Sequence, residues 1–591
     1  MRTNLFLFLI FTQSLLAVLQ AQTPGVTIHG AKMTINNGTY VVITGEAGNF
    51  TVESGEVYLY GKIILSGNLV NNTANPDLFN AVDNNHTDLV FTGTQDQVIG
   101  GGNTLNVVCQ NLTVNPGSKA VLHAGKKLNV LGDLTNNGTI TIGADENEQS
   151  TLKITGAVSG SGTFNVETHV TSGRNWYLSS PVSGAKSSVF NAAANSISWY
   201  DESKGSTTPW TDITDNTTNL VPFRGYIATV PTDGNVTFTG GTLNNSTETI
   251  TLYRTAGQAK EGFNLVGNPF PAYYDFGSST KTHIQPSFWY RAKNAGNTAY
   301  VFDTYSVTNG LGTSLSSKSV TTNIPPMQAF WVRVDNGFSS GTITFDKQYI
   351  NHKDVTNNRR RAKEATNAKF VRLQVSNGTN FDEAIVVFNP LASDGYDAYD
   401  SPKMSNGSTK IPEIFTKAGN EVVAINGMKT FDSERIIPLG FSTGQTASFT
   451  LKATEISGFD SSFRLILVDK NKPAEYDITE GIDYAFNSSV VNSTDRFELK
   501  FKVSGQTTAT ENAISDGINF IRKDNNHIWV TYSGIVEKGS LVTLYNTAGQ
   551  AISNKLIESE NTELTLPTTP GVYMLKAIVS GKAKTSKVIL N

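Results

Sequence analysis

The sequence predicts an all-β chain: an N-terminal parallel β-solenoid-like region, then β-sandwich modules, then a small immunoglobulin-like sandwich at the C-terminus. Three observations carry this. Of 591 residues, 38% are hydrophobic and 16% charged, while Thr, Ser, Asn and Gly are abundant. That mix suits short strands and tight turns, because β-branched residues favour strands and Gly and Asn tolerate turn geometry. Apolar and polar residues alternate in short runs, and no Ala/Leu/Glu/Lys-rich run has a helical period. Near the N-terminus a strand-like block recurs at a fixed offset, as stacked coils require.

Length bounds the chain at roughly three to five domains. The formal net charge of −4 provides no basic field for nucleic acid or acidic lipid. The single cysteine, Cys109, rules out an intrachain disulfide framework and a paired-cysteine zinc site. It lies in the apolar run Val107-Val108-Cys109 and reads as a buried, inert thiol.

Residues 1–21 have the order of a secretory signal peptide: Arg2, an apolar run from Leu5 to Leu19, then small Ala21 before Gln22. Cleavage is expected after Ala21. The run is short for a membrane span and carries Thr12, Gln13 and Ser14.

Residues 26–169 carry the repeat. LNVLGDLTNNGTITI (128–142) aligns with LKITGAVSGSGTFNV (152–166) at an offset of 24, and IILSGNLVNNT (63–73) fits the first half. Leu128, Val130, Leu134, Ile140 and Ile142 match Leu152, Ile154, Val158, Phe164 and Val166. Gly132 and Gly156, then Asn136-Asn137 and Gly160-Ser161, fall at matching corners, where left-handed backbone suits Gly and Asn. A right-handed parallel β-helix or similar solenoid is expected; a set of meander hairpins is the alternative.

Residues 170–350 read as an internally duplicated β module. Trp176-Tyr177-Leu178 leading to Pro181 is echoed by Phe263-Asn264-Leu265 leading to Pro269. SWYDE (198–202) is echoed by FWYRA (288–292), FRGYIATV (223–230) by MQAFWVRV (327–334), and VTFTG (236–240) by ITFDK (343–347). Residues 351–369, polar and centred on Arg359-Arg360-Arg361, read as a linker. Residues 370–503 hold alternating runs such as FVRLQVSN (370–377) and RFELKFKV (496–503), spaced as in an antiparallel, jelly-roll-like sandwich. Residues 504–518 form a second linker, and 519–591 a seventy-odd-residue immunoglobulin-like module.

In that last module, SLVTLYNTAGQAI (540–552) and ELTLPTTPGVYMLKAIVSGKAKTSKVILN (563–591) resemble the type IX secretion C-terminal sorting domain of Bacteroidetes. There a strand ends in an Asn–Gly-type turn followed by Gln, then come a Gly-Val-Tyr strand, a basic hairpin and a final apolar strand. The matching residues here are Tyr545, Asn546, Gly549, Gln550, Gly571, Val572, Tyr573 and Lys587. Upstream, LTNNGTI (134–140), GFNLVGNPFPAYYDF (262–276) and the stretch 382–404 are similar to the body of large surface proteins of that group with no known enzyme activity. The resemblance implies export to the cell surface or medium. The type IX translocon and sortase are the implied partners, with surface lipopolysaccharide as an anchor and a glycan or host-matrix ligand for the body. An adhesin-like or structural role follows, with a carbohydrate-binding protein as the alternative.

Motifs for catalysis are weak. Gly440-Phe441-Ser442-Thr443-Gly444 matches GxSxG but lies between strand-like runs, without the strand–elbow–helix context the nucleophile needs. The seven histidines show no metal-ligand spacing. A solenoid polysaccharide-active enzyme would need clustered carboxylates on one face. Asp145, Glu146 and Glu148 instead share one loop. Asp394, Asp397 and Asp400 in ASDGYDAYD are candidates for calcium, with turn capping as the plainer role. No other cofactor is indicated. Trp199-Tyr200 and Trp289-Tyr290 are the best ligand candidates. Strand neighbours point to opposite faces, so one member of each pair fills the core and the other, Tyr200 or Tyr290, is free to stack on a sugar.

Overall fold

The computed structural model describes residues 25–590 except 46–47, 76, 80–86, 103–105, 317–319, 354–367, 480, 504–517, 523–525, 533–535 and 581. The expected signal peptide and the centres of both expected linkers lie outside the described residues. The chain forms two compact units, Met1–Ser504 and Gly505–Asn591. Their regular structure is strand, with a few 3-10 turns among the described residues.

The first unit opens as a parallel β-solenoid. One turn places Lys127–Val130, Leu134–Asn136 and Thr139–Ile142 in three different sheets, and the next places Thr151–Ile154, Val158–Ser159 and Thr163–Val170 directly on them. The ladder pairs Leu128 with Leu152, Val130 with Ile154, Leu134 with Val158, Ile140 with Phe164 and Ile142 with Val166, as the 24-residue offset predicts. The alternation is physical: residues in register stack their apolar side chains into one interior column. Phe50, Phe91, Leu134 and Phe164 are all buried there, each contributing about 1.5–3 kcal/mol. Cys109 is in that column, and burial pushes its thiol well above the usual range.

Two details differ from the sequence reading. The segment 63–73 sits one face away: Lys62–Leu65 joins the sheet of Leu134–Asn136, not that of Lys127–Val130. The corners also work differently. Gly160 is left-handed, with φ +100°, but Gly132, Gly156, Asn136 and Asn137 are not. Gly132 and Gly156 are required by close stacking: a Cβ on Gly156 would lie 2.4 Å from the Gly132 carbonyl oxygen. Asn136 turns inward, donating to the Thr163 carbonyl at 3.0 Å and accepting from the Gly138 N–H at 3.1 Å.

Thr163–Val170, the last solenoid strand of its sheet, pairs antiparallel with Gly234–Gly240. The next module thereby covers a strand edge that would otherwise be open to pairing. The interior column also continues into Leu178, Val182, Phe190, Tyr226 and Phe238.

The duplication is visible in sheet order. Trp176–Leu178, Tyr226–Ala228, Ile197–Tyr200 and Trp210–Asp212 lie side by side in one sheet. Phe263–Gly267, Ala329–Arg333, Ser287–Lys293 and Tyr300–Ser306 follow the same order in another. Phe223 and Met327, equivalent residues before the central strands, are both left-handed, with φ 65° and 57°. The copies grip each other reciprocally. The Ser179 N–H donates to the Met327 carbonyl at 2.8 Å, and the Gly267 N–H to the Phe223 carbonyl at 2.9 Å. This exchange is the signature of a two-fold, isologous contact. It also sets the alignment. Tyr177 pairs with Ile227 as Leu265 pairs with Trp331, so Trp176-Tyr177-Leu178 matches Asn264-Leu265-Val266, one residue beyond the sequence echo.

Residues 368–503 form a sheet folded on itself, in which Glu413–Ala418 pairs with strands of both halves. Its interior holds Val371, Leu439, Phe441, Leu465 and Phe497. Pairing is antiparallel except between Phe381–Phe388 and Glu421–Met428, which run parallel with Ile385 opposite Ile425. This part also shares apolar contacts with the duplicated module, through Leu311 against Phe370 and Ile425.

The second unit is a sandwich. Ile518–Arg522, His527–Tyr532 and Asn561–Thr565 form one sheet, and Ala551–Leu556, Leu541–Tyr545, Gly571–Val579 and Lys582–Leu590 the other. Among the described residues its core runs from Ile518 through Val530, Leu544 and Leu575 to Leu590.

Candidate functional site

The two copies of the duplicated module meet over a cleft of about 370 Å³. Its walls come from equivalent positions. Tyr200 is paired across the ladder with Trp210 in one copy, as Arg291 is with Phe302 in the other. Ile227 and Trp331 lie on the central strands, and Met404 to Gly407 close one side. Residues two apart on a strand share a face, so each strand offers alternate side chains to this space.

Aromatic rings dominate. Tyr200 lies 4.7 Å from Trp331 and 5.3 Å from Trp210, both edge-on, and Trp210 lies 6.0 Å from Trp331. Tyr177 completes the group at 6.2 Å from Trp331. Such pairs contribute about 0.5–1.5 kcal/mol each beyond burial. Tyr177 and Trp331 are buried, while Tyr200 and Trp210 are half-buried and leave ring surface open to the cleft.

The charges are one-sided. The Arg291 guanidinium stacks 3.6 Å from the Tyr300 ring centre and 5.8 Å from that of Tyr177. Lys260, an exposed residue held at φ 60°, has its pKa drawn down by partial desolvation first and by the Arg291 charge second. Among the described residues no carboxylate pairs with either cation within 4.0 Å. Acids around the cleft are engaged elsewhere: Glu202 accepts from the Thr255 and Gly262 N–H groups at 2.8–3.0 Å, Asp201 binds Ser203 and Lys204, Glu261 pairs with Arg254, and Glu413 accepts from Ser405 and the Asn406 N–H. The Tyr200 hydroxyl is raised by burial, then by Glu202 and Asp201.

Several donors in its wall lack a partner. Asn406 accepts from the Phe302 N–H at 2.9 Å, but its amide nitrogen is buried without a partner. The Trp331 indole N–H and one Arg291 terminal nitrogen are likewise buried without a hydrogen bond of normal geometry, with the Tyr177 hydroxyl beside both.

Of the sequence candidates, Tyr200 lines this cleft and Tyr290 does not. Tyr290 packs on Phe288 and Phe330 in a separate core, with its hydroxyl buried and unpartnered. The two Trp-Tyr pairs are one residue out of structural register. Trp289 pairs with Trp331, whereas in the first copy it is Ser198 that pairs with the equivalent Ile227. A one-residue slip exchanges faces. Trp289 is therefore buried and donates to the Pro402 carbonyl at 3.1 Å, and Arg291, not Tyr290, is the counterpart of Tyr200. Sequence reasoning missed Trp210, Lys260, Arg291, Trp331 and Asn406; alternation along FWYRA and MQAFWVRV was the available signal for Arg291 and Trp331.

The three aspartates considered for calcium do not converge. Asp394 binds Arg435 at 2.7 and 3.1 Å, Asp397 caps the Ser393 and Tyr399 N–H groups, and Asp400 those of Asp397 and Gly427. Among the described residues no group of three or more His, Cys, Asp or Glu side chains is placed to hold a metal. Asp145 caps its own turn by accepting from the Asn147 and Glu148 N–H groups at 2.8 and 2.7 Å. Ser442 lies inside the strand Ile436–Thr443, opposite Glu413 and Asn492, and forms no elbow.

In the C-terminal unit, Tyr545 ends a strand and Asn546 braces the turn that follows. The Asn546 side-chain nitrogen donates to the Gln550 side chain at 2.9 Å, its oxygen accepts from the Gln550 N–H at 3.0 Å, and Gly549 is left-handed at φ 79°. Gly571 opens the strand opposite Leu590. Tyr573 is buried and donates to the Thr569 carbonyl at 2.9 Å. Val572 and Lys587 lie outward, exposed with Met574, Lys576, Ile578 and Ile589. The eight residues thus divide between one turn and one strand pair.

A family model described as "Domain of unknown function (DUF8693)" matches residues 71–501. Among solved structures, a chain named "Biofilm associated protein - BSP domain" is similar at 9% identity over 71% of this chain and 90% of that one, with a TM-score of 0.13. A likeness that low carries no argument about fold or function. No curated protein matches the chain.

Proposed function

The chain belongs to the DUF8693 family, and we propose that it is an adhesin-like cell-surface or secreted protein, exported with the C-terminal unit as a sorting label read by the type IX translocon and sortase. The observation that carries this reading is the self-contained core of residues 518–590. A label that is recognised and then removed must fold without its passenger. The family match ends at residue 501, before that unit, which supports a division between body and label. The outward row of Val572, Met574, Ile578 and Ile589, interrupted by Lys576 and Lys587, supports recognition through this sheet face, since exposed apolar patches of this kind mark interaction sites. Cell fractionation with mass spectrometry of both chain termini tests it. The expected result is a body outside the cell that lacks residues 1–21 and is trimmed within 504–518. An intact chain confined to the periplasm contradicts it.

A second reading concerns the body. The aromatic cleft around Tyr200 favours saccharide binding, because sugar C–H faces stack on exposed Tyr and Trp rings while donors fix the hydroxyls. A glycan array with the full chain separates a body that binds sugar from one that only displays its modules. Surface lipopolysaccharide remains the proposed anchor for a retained body.

A further inference from the structure

We infer that the cleft between the two copies is built for an acidic saccharide, one whose pyranose ring rests on Tyr200 and Trp210 and whose carboxylate or sulfate is held by Arg291 and Lys260. This rests on the saccharide-binding reading of the same cleft. The chemistry of the cleft is unbalanced. Arg and Lys side chains and an indole N–H are donors only, and the Asn406 oxygen already accepts from the Phe302 N–H. The cleft therefore presents two cations, Arg291 and Lys260, with the donor nitrogens of Trp331 and Asn406 buried in its wall. Asn406 is only 7% exposed, and its side-chain N–H groups are buried without a partner, a costly state that native proteins normally relieve.

Water at the mouth would satisfy single donors. It would not neutralise the two like charges, Lys260 and Arg291, that line the same cleft; a bound anion does both. An anion alone, such as phosphate, would leave the aromatic wall unused. The volume of about 370 Å³ lies at the small end of ligand pockets, about 300–1,000 Å³, which suits one or two sugar units rather than a nucleic acid strand. The asymmetry has a structural origin. At equivalent positions one copy supplies Tyr200 and Trp210, the other Arg291 and Phe302. The duplicated scaffold therefore provides a stacking side and a charged side from the same two strands.

The test is calorimetric titration of the full chain with a galacturonate oligomer, a sulfated heparin-derived oligosaccharide, a neutral cello-oligosaccharide and a glutamate-rich peptide. The expected result is binding of a carboxylated or sulfated sugar, the two arms telling which, with neutral sugar and peptide weaker by about tenfold or more, the scale of losing one charge-assisted hydrogen bond. Arg291→Gln and Lys260→Gln should each lower that affinity about tenfold, Tyr200→Ala should remove it, and added salt should weaken it in the unaltered chain. Should Arg291→Gln misfold, the salt dependence and Lys260→Gln still decide. Equal binding of neutral and acidic sugars, insensitive to salt, overturns the charge assignment and leaves the saccharide reading standing. Preference for the peptide, or no sugar bound at all, overturns both.

Discussion

Ser179 and Gly267 occupy the same position in the two copies of the duplicated module and face each other where the copies meet. A Cβ built on Gly267 would lie 2.1 Å from the Ser179 Cβ. Each residue donates its N–H to the residue before the other copy's central strand, Met327 or Phe223. The contact that holds the cleft together therefore passes through a point where only one of two equivalent residues can carry a side chain.

Gly267→Ala is expected to destabilise the first unit by about 2 kcal/mol, the scale of overpacking in a tight core. Ser179→Gly should largely restore stability when combined with it. A double-mutant cycle in denaturant measures the coupling. Additive losses would mean that the two positions do not meet.

Two solenoid glycines separate strain from crowding. Gly160 has φ 100°, and its Cβ would lie 2.1 Å from the Asn136 carbonyl oxygen; Gly117 has φ 78° with nothing within 4 Å. Gly117→Ala should cost about 1 kcal/mol from backbone strain alone. Gly160→Ala should cost at least about 2 kcal/mol more, through the clash. Equal shifts in denaturant midpoint would contradict the close stacking of coils.

Stability of the first unit should fall as pH rises from about 4 to about 7. Burial raises the Asp400 carboxyl from 3.8 to about 7, and Asp303, also by burial, to about 6. Below about pH 4 both the folded and unfolded chains hold these protons. Between there and about pH 7 only the folded chain does, so the contribution is full in acid and is lost as pH rises through the folded value. The melting temperature of the first unit should drop from pH 5 to pH 8, and Asp400→Asn should flatten part of that slope. An unchanged slope in the variant would show that Asp400 ionises as freely folded as unfolded.

Much of the fold was legible because parallel stacking converts sequence offset into spatial register. Leu128 above Leu152 and Ile140 above Phe164 are ladder partners, so a repeat in the sequence is a column in the core. The match at 63–73 misled because a short Leu–Gly–Leu–Asn pattern suits any corner of the coil, and the face it takes depends on the residues between corners. The Trp-Tyr echo misled in a similar way. Identical letters drew the alignment one residue from the register that the Ser179 and Gly267 contacts impose, which sent Tyr290 into a core and brought Arg291 to the cleft. The cleft itself gathers Tyr177, Trp210, Lys260, Trp331 and Asn406 from separate stretches. Only tertiary packing joins them, and no local pattern marks Lys260 or Asn406. The C-terminal module was readable because its turn, Gly-Val-Tyr strand and closing hairpin are local features.

The proposed export route depends on residues 519–591 acting as a label that folds on its own core. Deleting them in the native host, and locating the remaining chain by fractionation and surface proteolysis, tests this most directly. A folded body trapped in the periplasm, with the melting temperature it has in the full chain, is the predicted result. Normal display of the truncated chain on the cell surface would contradict it.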